Sequence, residues 1–143
     1  MKIRAVSTPN IALIKYWGNR NDELRLPAAD SLSITLDGPT VEVSAESAES
    51  FSARSFEPDG SERTLTEQES SRLEKHFLLC KKYLDNLPSS VSLEIRSHVP
   101  RGIGLASSAA VFSALAESYA GFVPNISRKD VSIHPQSVLL RSL

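Results

Sequence analysis

The chain has 143 residues, with 16 Lys and Arg against 17 Asp and Glu and a formal net charge of -1. That length suits one domain with its own core. The near-cancellation of charge argues against a dedicated nucleic-acid binder or a polybasic membrane anchor. No apolar run approaches the ~18 residues needed to span a bilayer. The single cysteine, Cys80, excludes an internal disulfide framework and a thiolate metal cluster and reads as a small apolar residue on a helix face. The N-terminal residues lack a signal-peptide apolar region. These features together predict a soluble, cytoplasmic mixed α/β domain.

Residues 2–7 and 11–17 read as strands, with Ser7, Thr8, Pro9 and Asn10 as the turn between them. Residues 19–26 are polar and read as a loop. From Ser31 the chain alternates: Leu32, Ile34 and Leu36 point one way and Ser31, Ser33 and Thr35 the other, as in a half-buried strand. Asp37, Gly38 and Pro39 form a turn. Val41 and Val43 then alternate with Thr40, Glu42 and Ser44, so the two strands read as a hairpin. Residues 51–57 are a weaker strand, closed by a turn at Pro58, Asp59 and Gly60.

Thr66 and Glu69 have the spacing of a capping box. Leu73, Phe77, Cys80 and Leu84 follow at helical spacing, predicting a helix over 67–86 closed by Pro88. Val91, Leu93 and Ile95 alternate with Ser92, Glu94 and Arg96 in a further strand. An alanine-rich helix over 107–119 stops at Gly121. Residues 127–130 resemble the cap of a third helix, broken by His134 and Pro135. Strands precede helices in blocks, which predicts an α+β fold with a mixed or antiparallel sheet and helices on one face.

Two segments carry chemistry. Residues 100–110 read Pro-Arg-Gly-Ile-Gly-Leu-Ala-Ser-Ser-Ala-Ala, placing Gly102 and Gly104 between a strand and the helix that Ser107 and Ser108 open. Backbone amides and the helix dipole favour an anion at such a place, and glycine lets a phosphate approach the main chain. The loop is neither a Walker A sequence nor a dinucleotide fingerprint, and close packing of strand on helix is an equal reading of it. The second segment, residues 9–20, reads Pro-Asn-Ile-Ala-Leu-Ile-Lys-Tyr-Trp-Gly-Asn-Arg. Trp17, beside Tyr16, Lys15 and Gly18, is either a core residue at a strand end or one wall of a substrate pocket. His76, His98 and His134 have no metal-ligand spacing. Ser107 lacks a nucleophile elbow, and no carboxylate pair stands out as acid and base.

Taken together, Pro-Asn-Ile-Ala-x-Ile-Lys-Tyr-Trp-Gly and Gly-Leu-Ala-Ser-Ser-Ala-Ala resemble the mevalonate diphosphate decarboxylases of the GHMP kinase superfamily. Leu26, Pro27 and the strand from Ser31 to Leu36 are similar too. The resemblance covers residues 5–132 and implies a ribosomal-protein-S5-like N-terminal half. It also implies an ATP- and Mg²⁺-dependent reaction, in which the 3-hydroxyl of mevalonate 5-diphosphate is phosphorylated. Loss of phosphate and CO₂ then gives isopentenyl diphosphate for isoprenoid biosynthesis. In this reading Asn10, Lys15, Tyr16, Trp17, Gly18 and Asn19 fall on the substrate side. Asn10 falls on the asparagine that helps hold a catalytic arginine. Gly102, Gly104, Leu105, Ala106, Ser107 and Ser108 fall on the ATP phosphate loop. No metal-ligating residue is implied.

The chain departs from the family pattern in two places. Asn19 stands where the family has lysine, which removes a cation from the phosphate end of the substrate. That favours, as an alternative, a phosphomevalonate decarboxylase making isopentenyl phosphate. Beyond residue 133 the family continues with a Gly-Ser-Gly-Ser-Ala-x-Arg segment and a second half that bring the catalytic arginine and aspartate. Here residues 134–143 are of unrelated sequence. The expectation is an N-terminal domain over 1–133, an aberrant tail such as a frameshift would leave, and no second domain. Such a chain would be a non-catalytic phosphate-binding fragment. An uncovered apolar sheet surface would then predict aggregation or homodimerisation.

Overall fold

Eleven elements appear in the computed structural model, which describes residues 1–14, 19–21, 26–27, 32–100 and 107–126. In chain order they are β1 (Lys2–Ser7), β2 (Asn10–Ile14), β3 (Asn19–Asn21), β4 (Leu26–Pro27), β5 (Leu32–Thr35), β6 (Val41–Ala48), β7 (Ser52–Phe56), β8 (Glu62–Arg63), α1 (Glu67–Cys80), β9 (Ser90–Ser97) and α2 (Ser107–Ala120).

Period-two alternation builds the main sheet, ordered β1-β6-β9-β7-β8. Val41, Val43 and Ala45 of β6 and Val91, Leu93 and Ile95 of β9 are buried on one face, opposite one another in an antiparallel register from Val41↔Ser97 to Ala48↔Ser90. β1 joins the other side of β6 antiparallel. β7 runs parallel to β9, so the sheet is mixed, and the connection between those two strands carries α1, as parallel neighbours require. Both helices cover the apolar face, where Leu73, Phe77, Ala114, Leu115 and Tyr119 complete the core. The opposite face is a charged lattice. Arg4 bonds Glu42 at 2.6 Å, Arg96 bonds Glu94 at 2.7 Å and Arg54 bonds Glu62 at 2.6 Å. The α+β fold with helices on one face is therefore as expected.

The expected hairpin is not formed. β5 pairs with β2, and the Leu36 N–H donates to the Pro9 carbonyl at 3.0 Å. β6 is instead an interior strand between β1 and β9. Alternation reports which face of a strand is apolar, not which strand lies beside it. The expected loop over 19–26 contains β3 and the start of β4, paired Asn19↔Pro27 and Asn21↔Leu26. Of the strand expected over 11–17, residues 15–17 lie outside the described residues, as do the third helix and residues 134–143.

The capping box forms as expected. Thr66 Oγ1 accepts from the Glu69 N–H at 3.2 Å, and Glu69 Oε2 accepts from the Thr66 N–H at 2.9 Å. Thr66→Ala is expected to cost about 1 kcal/mol, read as a lower thermal midpoint. The helix, however, ends at Cys80, short of the expected residue 86. Beyond it Lys82 donates to Leu79 and Tyr83 to Cys80 in tightened turns, and Asn86, at φ 67°, reverses the chain. Leu84 stays buried, so its apolar spacing persisted after the helix had stopped.

Small residues set α2 close on the sheet. Its end is sharply constrained: a Cβ on Gly121 would lie 2.5 Å from Ile3 Cγ2, a separation no side chain tolerates. Among the described residues no helix is long and apolar enough to cross a membrane.

Candidate nucleotide site

Strand β9 and helix α2 position the site. The apolar face of β9 anchors it in the core, and Val99 and Pro100 then lead the chain to the glycine segment. α2 begins at Ser107 on the far side. The first turn of α2 carries no acidic residue, so no carboxylate of that turn sits at the positive end of its dipole.

A cavity of about 420 Å³ lies beside this junction. Phe56, Leu65, Leu73, Val99, Val111 and Phe112 give it apolar walls, and Ser55, Ser97 and Ser108 add hydroxyls. Arg63, Arg72, Glu57 and Glu69 also line it, so apolar walls and convergent polar groups share the concavity, as in small-molecule sites.

Two arginines face it with different electrostatics. Arg63 is neutralised: its Nη1 donates to both carboxylate oxygens of Glu69 at 2.9 Å, and its Nε lies 3.7 Å from Glu57. That guanidinium, with the Thr66 backbone amide, holds the Glu69 carboxyl down at about 2. Arg72 instead stacks on Phe112, 5.1 Å from the ring centroid. Among the described residues no carboxylate pairs with it. Arg72 is therefore a cation in the cavity wall left available to an incoming anion. A second concavity, of about 520 Å³ along the outer face of α1, does not touch the α2 N-terminus.

Of the expected site residues, Ser108 lines the cavity and Ser107 opens α2. Gly102, Gly104, Leu105, Ala106, Lys15, Tyr16, Trp17 and Gly18 lie outside the described residues. Asn10 opens β2, where its Nδ2 donates to Ser33 Oγ at 3.2 Å, and does not line this cavity; Asn19 opens β3. Sequence reasoning missed Arg63, Arg72 and Phe112. A signal for Arg72 existed: it lies four residues before His76 and next to Leu73, so it borders the buried stripe of α1. Among the described residues no cluster of three or more His, Cys, Asp or Glu could hold a metal ion. Magnesium characteristically enters such sites on substrate phosphates and water.

A family model described as "Diphosphomevalonate decarboxylase-like N-terminal domain" matches residues 7–137. The diphosphomevalonate decarboxylase of Gibberella zeae is 34% identical over 132 residues, covering 78% of this chain and 32% of that protein. The crystal structure of mevalonate diphosphate decarboxylase from Staphylococcus aureus superposes with a TM-score of 0.78 at 25% identity, covering 96% of this chain and 41% of that one. A complex of MDDEF with MVAPP, AMPPCP and magnesium superposes at 0.74 with 31% identity, covering 96% and 42%. The chain thus spans about a third of the length of the curated relatives it matches.

Proposed function

Because the chain belongs to the diphosphomevalonate decarboxylase-like N-terminal domain family, we propose that it carries the nucleotide side of an ATP- and Mg²⁺-dependent decarboxylase. The reaction is conversion of mevalonate 5-diphosphate to isopentenyl diphosphate, in the cytoplasm. The observation that carries this reading is the cavity beside the β9–α2 junction, with Ser108 in its wall and Arg72, which no carboxylate pairs among the described residues. ATP supplies the phosphoryl group that turns a tertiary hydroxyl into a leaving group. The residues present fit that cofactor. The α2 N-terminus and Ser108 would donate to phosphate oxygens, and Arg72, stacked on Phe112, would offer a positive charge. The apolar walls would hold the base. The complex with AMPPCP, MVAPP and magnesium supports the same pairing of nucleotide and phosphorylated mevalonate here.

In this reading residues 1–133 are the nucleotide-binding domain. Titration with Mg²⁺–AMPPCP is expected to show saturable binding, weakened roughly tenfold in Arg72→Ala, the scale of one lost charge-assisted contact. Binding unaffected by that change would remove the cavity from the site. Asn19, a neutral residue at the start of β3, favours a second substrate reading with one phosphate instead of two. Tighter binding of the diphosphate than of the monophosphate sinks it.

A further inference from the structure

Two pairs of residues, each one helical turn apart, lie on either side of the α1–α2 seam. Arg72 and His76 stand on α1, and Ser108 and Phe112 stand on α2. Phe112 is 4% exposed and touches both members of the α1 pair. Arg72 Cζ lies 5.1 Å from its ring centroid, and the His76 ring lies 4.9 Å from it at a tilt of 57°. Among the described residues no hydrogen bond or ion pair holds the Arg72 guanidinium. A side chain of that length samples many rotamers unless something orders it. An aromatic face is such a constraint, because the ring quadrupole attracts a guanidinium plane within ~6 Å.

Resting on the nucleotide reading of this cavity, we propose that Phe112 is a positioning residue: its ring orders the Arg72 guanidinium in the cavity wall before an anionic ligand arrives. Phe112 and Arg72 both line the cavity, with Ser108 one turn before Phe112 on α2. Burial of Phe112, with His76 packed against it, keeps the ring itself in one place. A cation already ordered there loses little side-chain freedom when a phosphate binds. The ring takes the face of the guanidinium and leaves its N–H edge to the ligand. A carboxylate would order an arginine as firmly but would also neutralise it, as Glu69 does with Arg63. Stacking orders Arg72 and keeps its charge available.

A double-mutant cycle read by Mg²⁺–AMPPCP titration tests it. Phe112→Leu keeps an apolar side chain in the core but removes the ring, and is expected to weaken binding roughly threefold. Phe112→Tyr restores the ring face and should recover most of that loss. In an Arg72→Ala background Phe112→Leu should cost nothing further, because the side chain it orders is gone. Loosened packing alone would weaken binding by the same factor in both backgrounds, and that result overturns the proposal. Parental affinity in Phe112→Leu overturns it too. An Arg72→Ala chain that binds as tightly as the parent overturns the nucleotide reading and this proposal together. Circular dichroism at the titration temperature verifies that each variant is folded. Should leucine unfold the domain, Phe112→Met takes its place in the cycle, since its flexible side chain fills the same space without a ring.

Discussion

Replacing Phe77 with alanine is expected to lower the unfolding free energy by about 3 to 5 kcal/mol. Phe77 is 1% exposed and meets Tyr119 edge-on, with ring centroids 5.3 Å apart. It is thus the aromatic rivet between α1 and α2, and such a pair adds about 0.5 to 1.5 kcal/mol beyond the buried area. A domain of this size holds roughly 5 to 15 kcal/mol in all, so the variant would sit near its midpoint in mild denaturant. The functional consequence follows from the same seam. α1 carries Arg72 and α2 carries Ser108 and Phe112, so loosening one helix against the other separates the cavity's cation from its hydroxyl. Urea unfolding followed by circular dichroism measures the loss, and nucleotide titration measures the cavity. Leu78→Ala, on the same helix but 50% exposed, should cost less than about 1 kcal/mol. Equal losses for the two variants would show that this core does not lock the helices.

Which parts of this molecule are legible in its sequence follows from the range of the interactions involved. The capping box at Thr66 and Glu69, the β9 alternation and the small residues of α2 are local, and each was readable from spacing alone. The pairing of β5 with β2 is not local. Leu32 and Ile34 carry the same alternation whether β6 or β2 lies alongside, and only the assembled chain selects β2. The same holds at the site. Ser107 and Ser108 announced themselves by standing after two glycines. The spacing of Arg72 placed it at the border of the buried stripe of α1, but its place in the cavity wall required α1 laid beside α2, with Phe112 beneath the guanidinium. Glu69 shows the converse case, since one spacing specified its cap but not its bond to Arg63, which comes from β8.

Acidification is expected to destabilise the fold well before its carboxylates titrate, through His76. The imidazole is 2% exposed and lies between Phe112 at 4.9 Å and Tyr119 at 5.8 Å. Neither of its nitrogens has a hydrogen-bond partner. Burial, and then the nearby Arg72 charge, pushes it down to about 4. Its other titratable neighbours stay neutral throughout, because burial pushes Cys80 up to about 12 and raises Tyr119. Above about pH 6.5 the histidine is neutral in folded and unfolded chains alike and contributes no pH dependence. Below it the unfolded chain takes up a proton that the folded chain refuses. Stability therefore falls by about 1.4 kcal/mol per pH unit, for a total of about 3 kcal/mol by about pH 4. Glu69 acts in a separate window: its folded pKa of about 2 gives stability that is present above about pH 4.5 and is lost only below that. Being exposed, that pair contributes about 1 kcal/mol at most. Urea midpoints between about pH 7 and about pH 4.5 thus isolate the histidine. His76→Phe, which keeps an aromatic ring against Phe112 and Tyr119 while removing both unpartnered nitrogens, should flatten that slope. An unchanged slope in the variant would place the acid sensitivity elsewhere in the chain.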